Sequence, residues 1–215
     1  MDAPSVTSPI GAAPPPPFHG GGEGYLVLPR TAPAAHVAAA CLCAAGTAQP
    51  PRGERLRRLV DRIRGGEAFT ATLAGARVEA AGDTVSFFRE PGEARRSLGP
   101  PPTDPSDRLP HGGRGYLVLP PNQPIVWDGR YEITAAGPGL TVRPLQGLAA
   151  RLPAAQRQAL KSLPAAARPS LPAVLVPDGA VSCPILAEPN ATPARCLVMD
   201  RFNAATGRVD QEPAT

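Results

Sequence analysis

Arg55, Arg58 and Arg62 stand three and four residues apart. That spacing projects side chains from one side of an α-helix. Guanidinium groups gathered in this way suit a phosphate backbone, because arginine pairs with phosphate bidentately and releases counterions as it binds. Arg52, Arg57 and Arg64 flank the three. The stretch 52–64 thus sets six arginines against Glu54 and Asp61, a local charge of +4 that equals the net charge of the whole chain. Arg89 and Arg130, each near the end of an expected strand, are secondary candidates for the same surface. The alternative reading of any single basic helix is a solvated face with no ligand.

The element that must hold these arginines is a helix over 52–64. Leu56, Leu59, Val60 and Ile63 fall at i, i+3, i+4 and i+7, the apolar stripe of a helix docked on a core. Gly65-Gly66 stops it where a C-cap glycine is expected. Strands follow at 69–73, 77–81 and 84–89, broken at Gly75 and Gly82. Ahead of it, 34–45 is an alanine-rich helix with Val37, Ala40, Cys41 and Ala44 as its seam, ended by Gly46. Two helices joined by a short loop predict an antiparallel hairpin. His36, near the start of the first, reads as a packing or surface histidine.

Composition divides the rest. Thirty prolines and 22 glycines are concentrated in segments, whereas 42% of the chain is apolar, so ordered modules alternate with low-complexity stretches. The fold class read from this pattern is α+β with two small modules. Residues 1–23 read as a disordered Pro/Gly-rich segment, 24–90 as the helical hairpin with its small sheet, and 91–113 as a linker. Residues 114–206 read as a β-rich module with one or two helices, and 207–215 as a tail. In the second module strands are expected at 125–127, 130–134, 140–143, 172–176, 180–183 and 195–199, with a helix over 153–163. The first two strands are separated by Asp128-Gly129, the fourth and fifth by Asp178-Gly179. Trp127, the only tryptophan, reads as a core anchor. The hexapeptide GYLVLP occurs at 24–29 and again at 115–120, and either marks the start of each module or recurs by chance.

Several function classes are excluded or disfavoured. No phosphate-binding GxxxxGK[ST] loop, GxSxG elbow or HExxH helix is present, and no carboxylates pair across expected elements. Cys41, Cys43, Cys183 and Cys196 lack zinc spacing and read as small buried hydrophobes in a reducing compartment. With neither a signal-peptide pattern nor a run of apolar residues long enough to span a bilayer, a cytoplasmic location without membrane contact is expected. These features describe a binding device, not a catalytic centre.

The order of several short motifs resembles the tRNA(Ile)-lysidine synthetases, in a form like that of alphaproteobacteria. They are PPRGERL at 50–56, TATLAGARV at 70–78 with VxFFRE at 85–90, VWDGRY at 126–131, GLTVRPL at 139–145, LPAAQRQAL at 152–160 with LPAVL at 171–175, and DGAVSCP at 178–184. The resemblance covers roughly 24–205. It implies an ATP-dependent ligase that attaches lysine to the wobble cytidine of an isoleucine tRNA. In that family the chemistry belongs to an N-terminal PP-loop domain opening on SGGxDS, a motif this sequence does not contain. The expectation is therefore a tRNA-binding accessory region with no catalytic residue and no cofactor of its own. ATP and magnesium belong to that missing domain, which a separately encoded catalytic subunit could supply. Two other readings remain open: a protein-interaction module docking on that subunit, and a nonfunctional gene remnant.

Overall fold

The computed structural model describes residues 23–96, 116–186 and 192–207, with the backbone alone for 94–96. The readings of 1–22, of 97–113 and of 208–215 lie outside the described residues. Within them the chain is an α+β mix of five α-helices and three antiparallel sheets.

The first sheet has the order β1 (Leu26–Pro29), β4 (Thr84–Arg89), β3 (Ala76–Ala81), β2 (Phe69–Leu73). Its strands bury alternate residues: Leu26 and Leu28 on β1, Ala76, Val78 and Ala80 on β3, as a sheet covered on one face must. The cover is α1 (Ala34–Ala45), flanked by α2 (Gly53–Arg64). Alanine lets α1 lie close to the sheet, and α2 sinks Leu59, Val60 and Ile63 into the same core. Burying each of those three side chains is worth about 1.5–3 kcal/mol. The helix ends at Arg64, where its glycines place the stop: Gly65 caps it while still right-handed, and Gly66 takes the left-handed turn (φ 83°). Arg30 fixes that end. It donates to the carbonyls of Ile63 (2.8 Å), Glu67 (2.8 Å) and Gly82 (2.6 Å), so α2, the loop after it and the β3–β4 turn share one guanidinium.

The second part contains a hairpin of β6 (Pro124–Trp127) and β7 (Tyr131–Thr134), closed on Asp128 (φ 50°) and Gly129 (φ 62°). Two positive-φ residues are what a tight hairpin turn with the correct twist requires. With β11 (Ala194–Cys196) they form one sheet. β8 (Thr141–Pro144) does not extend this hairpin into a meander. It leaves for another sheet, between β9 (Pro172–Leu175) and β5 (Leu117–Val118), with β10 (Val181–Ser182) beyond β9. Trp127 is buried in the second core, as its anchor role predicts. The helix expected at 153–163 is α4 (Ala154–Ser162). The two GYLVLP copies differ in use. The first supplies a strand with Leu26 and Leu28 buried, whereas the second exposes Leu117 and Val118 on a two-residue edge strand.

Two helices depart from the sequence reading. The stretch from 91, whose composition predicts a linker, opens with α3 (Pro91–Arg96), since proline, a breaker inside a helix, is well placed in its first turn. The strand expected over 195–199 stops at Cys196, and the chain turns into α5 (Val198–Ala205). This helix packs Val198 and Phe202 into the core of α1 and the first sheet. It also sets the Phe202 ring edge-on to His36, 6.0 Å between centroids. That is why α1 is buried nearly all round, Ala39 and Cys43 included, and not only along its seam.

The backbones of the two parts meet at glycines. Gly46 caps α1 in the left-handed conformation (φ 65°), and a Cβ there would overlap the Asp128 carbonyl oxygen. Gly46→Ala is therefore expected to lose at least about 1–2 kcal/mol from left-handed backbone alone, with the overlap added. The urea midpoint of unfolding measures it, and a loss no larger than the left-handed cost alone would mean the two backbones do not touch in solution.

Candidate nucleic-acid interface

Helix α2 lies along the sheet so that its apolar stripe faces down and its two flanks point away. Arg55, Arg58 and Arg62 occupy one flank, exposed, and converge on a groove of about 240 Å³ between the helix and β2, with Leu59, Ala71 and Leu73 beneath them. β2 ends its sheet, with no strand beyond it among the described residues, so the groove is open along its length. The Arg62 guanidinium lies 4.2 Å over the ring centroid of Phe69. That contact holds its plane still and leaves its N–H edge outward. Arg58 donates to Glu54 at 2.9 Å.

The flanking arginines do not join this group equally. At about 100° per residue Arg57 and Arg64 fall on the opposite flank from Arg55, exposed like the others. Arg57 grips Glu54 through two nitrogens, the shorter contact 2.7 Å. Arg57 first, and then Arg58, hold the Glu54 carboxyl below the usual carboxylate range by hydrogen bonding. Arg52 precedes the helix in an extended conformation and is also exposed.

Arg89 and Arg130 are placed otherwise than expected. Both are buried, with side chains 3% and 1% accessible, and both close on the carboxylate of Asp128. Arg89 reaches it at 2.8 and 3.2 Å, and Arg130 at 2.9 and 3.0 Å. Arg130 also donates to the carbonyls of Gly24 (3.2 Å) and Ser170 (2.6 Å). Neither guanidinium is available to a phosphate at the surface. A charge at a strand end reads as exposed only until a distant partner is known, and Asp128 is 39 residues from Arg89. Arg201 on α5, which sequence reading passed over, adds a further tie, donating to the carbonyls of Thr47 (2.9 Å) and Gly129.

The four cysteines are free thiols, three buried and Cys196 partly so. Burial pushes the Cys41 and Cys183 thiols up to about 12 and Cys43 to about 11, from 9.0. They stay neutral and unreactive at ordinary pH. Because the folded values are raised, the stability these thiols contribute is whole below about pH 9 and is lost as pH rises from there toward 12, by up to about 1.4 kcal/mol per pH unit per thiol. A denaturant midpoint that held constant from pH 9 to 11 would contradict this. Among the described residues no group of three His, Cys, Asp or Glu side chains could hold a metal ion, and no helix is long and apolar enough to cross a membrane.

Over 214 aligned residues the chain is 43% identical to the tRNA(Ile)-lysidine synthase of Caulobacter vibrioides, a match covering 96% of this chain and 48% of that protein. The chain thus spans about half the length of the curated relative it matches, and the resemblance carried by its motifs is borne out. No protein-family model matches the chain, and no solved structure does.

Proposed function

Taking the chain as a relative of the tRNA(Ile)-lysidine synthases over half their length, we propose that it is the part of such a ligase that holds tRNA. The observation that carries this reading is the convergence of Arg55, Arg58 and Arg62 on one open groove. Phosphate contacts from such a group give affinity and register without reading bases. The chain contributes no catalytic residue. ATP and magnesium chemistry, and the attachment of lysine, fall to a PP-loop catalytic portion, whether on the same polypeptide or separately encoded. The setting is the cytoplasm, where the tRNA is.

The test is retention of tRNA by the purified chain, titrated over a range of salt concentrations. The logarithm of the affinity should fall linearly with the logarithm of salt, and a chain that never retains tRNA at low salt defeats the proposal. A second reading has its own support. Leu117, Val118 and Val126 are large apolar side chains left 43%, 58% and 57% exposed on edge strands. They fit docking on the catalytic portion. Stable association with that portion in nuclease-treated extract, without tRNA retention, would select this reading over the first.

A further inference from the structure

The arginine groove does not end at the arginines. Past Arg55, Thr72 and Leu73, which it shares, a second depression of about 330 Å³ continues beside Gly75 to Glu90 and Glu93. The two make one trough along the free edge of β2. Arg58 and Arg62 stand at one end, Leu59, Ala71 and Leu73 form an apolar floor, and two carboxylates stand at the other end.

That order of chemistry does not suit a continuous run of phosphates. A duplex backbone laid along the trough would carry its charges from the guanidiniums onto Glu90 and Glu93, where they are repelled, and would leave the apolar floor unused. A single nucleotide turned out of its stack has the matching order: an anionic phosphate, a flat apolar base, and a base edge or ribose hydroxyl with hydrogen-bond donors. Carboxylates accept from such donors. Resting on the tRNA-binding reading, we propose that the trough holds one unstacked nucleotide of the bound RNA, its phosphate toward Arg58 and Arg62 and its base toward Glu90 and Glu93. The Phe69 ring under Arg62 fixes the phosphate end before the RNA arrives.

The full chain is titrated with two labelled probes, a short single-stranded RNA and a blunt RNA duplex of equal charge, and read by fluorescence anisotropy. The double variant Glu90→Gln with Glu93→Gln separates the possibilities by sign. It makes the surface more positive, so simple attraction predicts tighter binding of both probes. The trough reading predicts about tenfold weaker binding of the single strand, with the duplex unchanged or tighter. Thr72→Trp, on an exposed strand position, fills the trough without changing charge and should act in the same direction. Far-ultraviolet circular dichroism confirms that both variants fold. Tighter binding of both probes by the glutamine variant, or a tryptophan variant that binds the single strand as wild type does, overturns the inference. The phosphate reading survives that result if alanine at 55, 58 and 62 still weakens both probes. A wild-type chain that binds neither probe removes both readings together.

Discussion

Alanine at Arg55, Arg58 and Arg62 together is expected to weaken tRNA binding on the order of 100-fold at about 0.15 M salt, and to shallow the salt dependence by up to about three phosphate contacts. The three side chains are exposed and make no core contact beyond the Arg62–Phe69 stacking, so the fold should persist and the loss should appear in affinity alone. The change in slope is the stronger readout, because it counts released counterions and not merely the strength of binding. Arg58 is the least free of the three, since Glu54 already accepts from it at 2.9 Å. Glu54→Gln should therefore bind tRNA more tightly than wild type, with the gain abolished when Arg57 and Arg58 are also replaced. A triple variant with the wild-type salt slope would place the phosphate contacts elsewhere and leave the arginine flank as solvated surface.

Much of this was legible in the sequence, for reasons that can be named. Helix α2 shows itself because its periodicity is local, with Leu56, Leu59, Val60 and Ile63 marking the buried side and leaving the arginines no other place. The β6–β7 hairpin is legible because Asp128-Gly129 carries the turn's backbone requirement in two residues. What stayed hidden depended on partners far along the chain. Helix α5 follows three strand residues and looks like their continuation until Val198 and Phe202 find the core around α1. The groove itself is made by an exposed strand edge and a helix flank, neither of which carries a signal of being beside the other. Burial of Arg89 and Arg130 is the sharpest case. Charge predicts exposure, and the tertiary position of Asp128 reverses that expectation.

Asp128→Asn is expected to be the most damaging single change outside the hydrophobic cores, costing about 3–5 kcal/mol of a total near 5–15 kcal/mol. The asparagine keeps the shape and tolerates the left-handed backbone that position adopts (φ 50°), so the loss isolates the charge. Two guanidiniums, 3% and 1% accessible, would then remain inside the protein without their carboxylate. The carbonyls of Gly24 and Ser170 satisfy part of Arg130 but offset little of that charge. Coupling distinguishes this from general fragility. Combining Asp128→Asn with Arg89→Gln should cost clearly less than the two single changes added, because both changes remove the same ion pair. Urea unfolding of the four proteins measures it, and strict additivity, or a loss under about 1 kcal/mol for Asp128→Asn, would mean the cluster is solvated. Arg89 ends β4 next to Glu90, which lines the far end of the trough. The same cluster that joins β4 to the β6–β7 turn therefore also sets where that end of the trough stands.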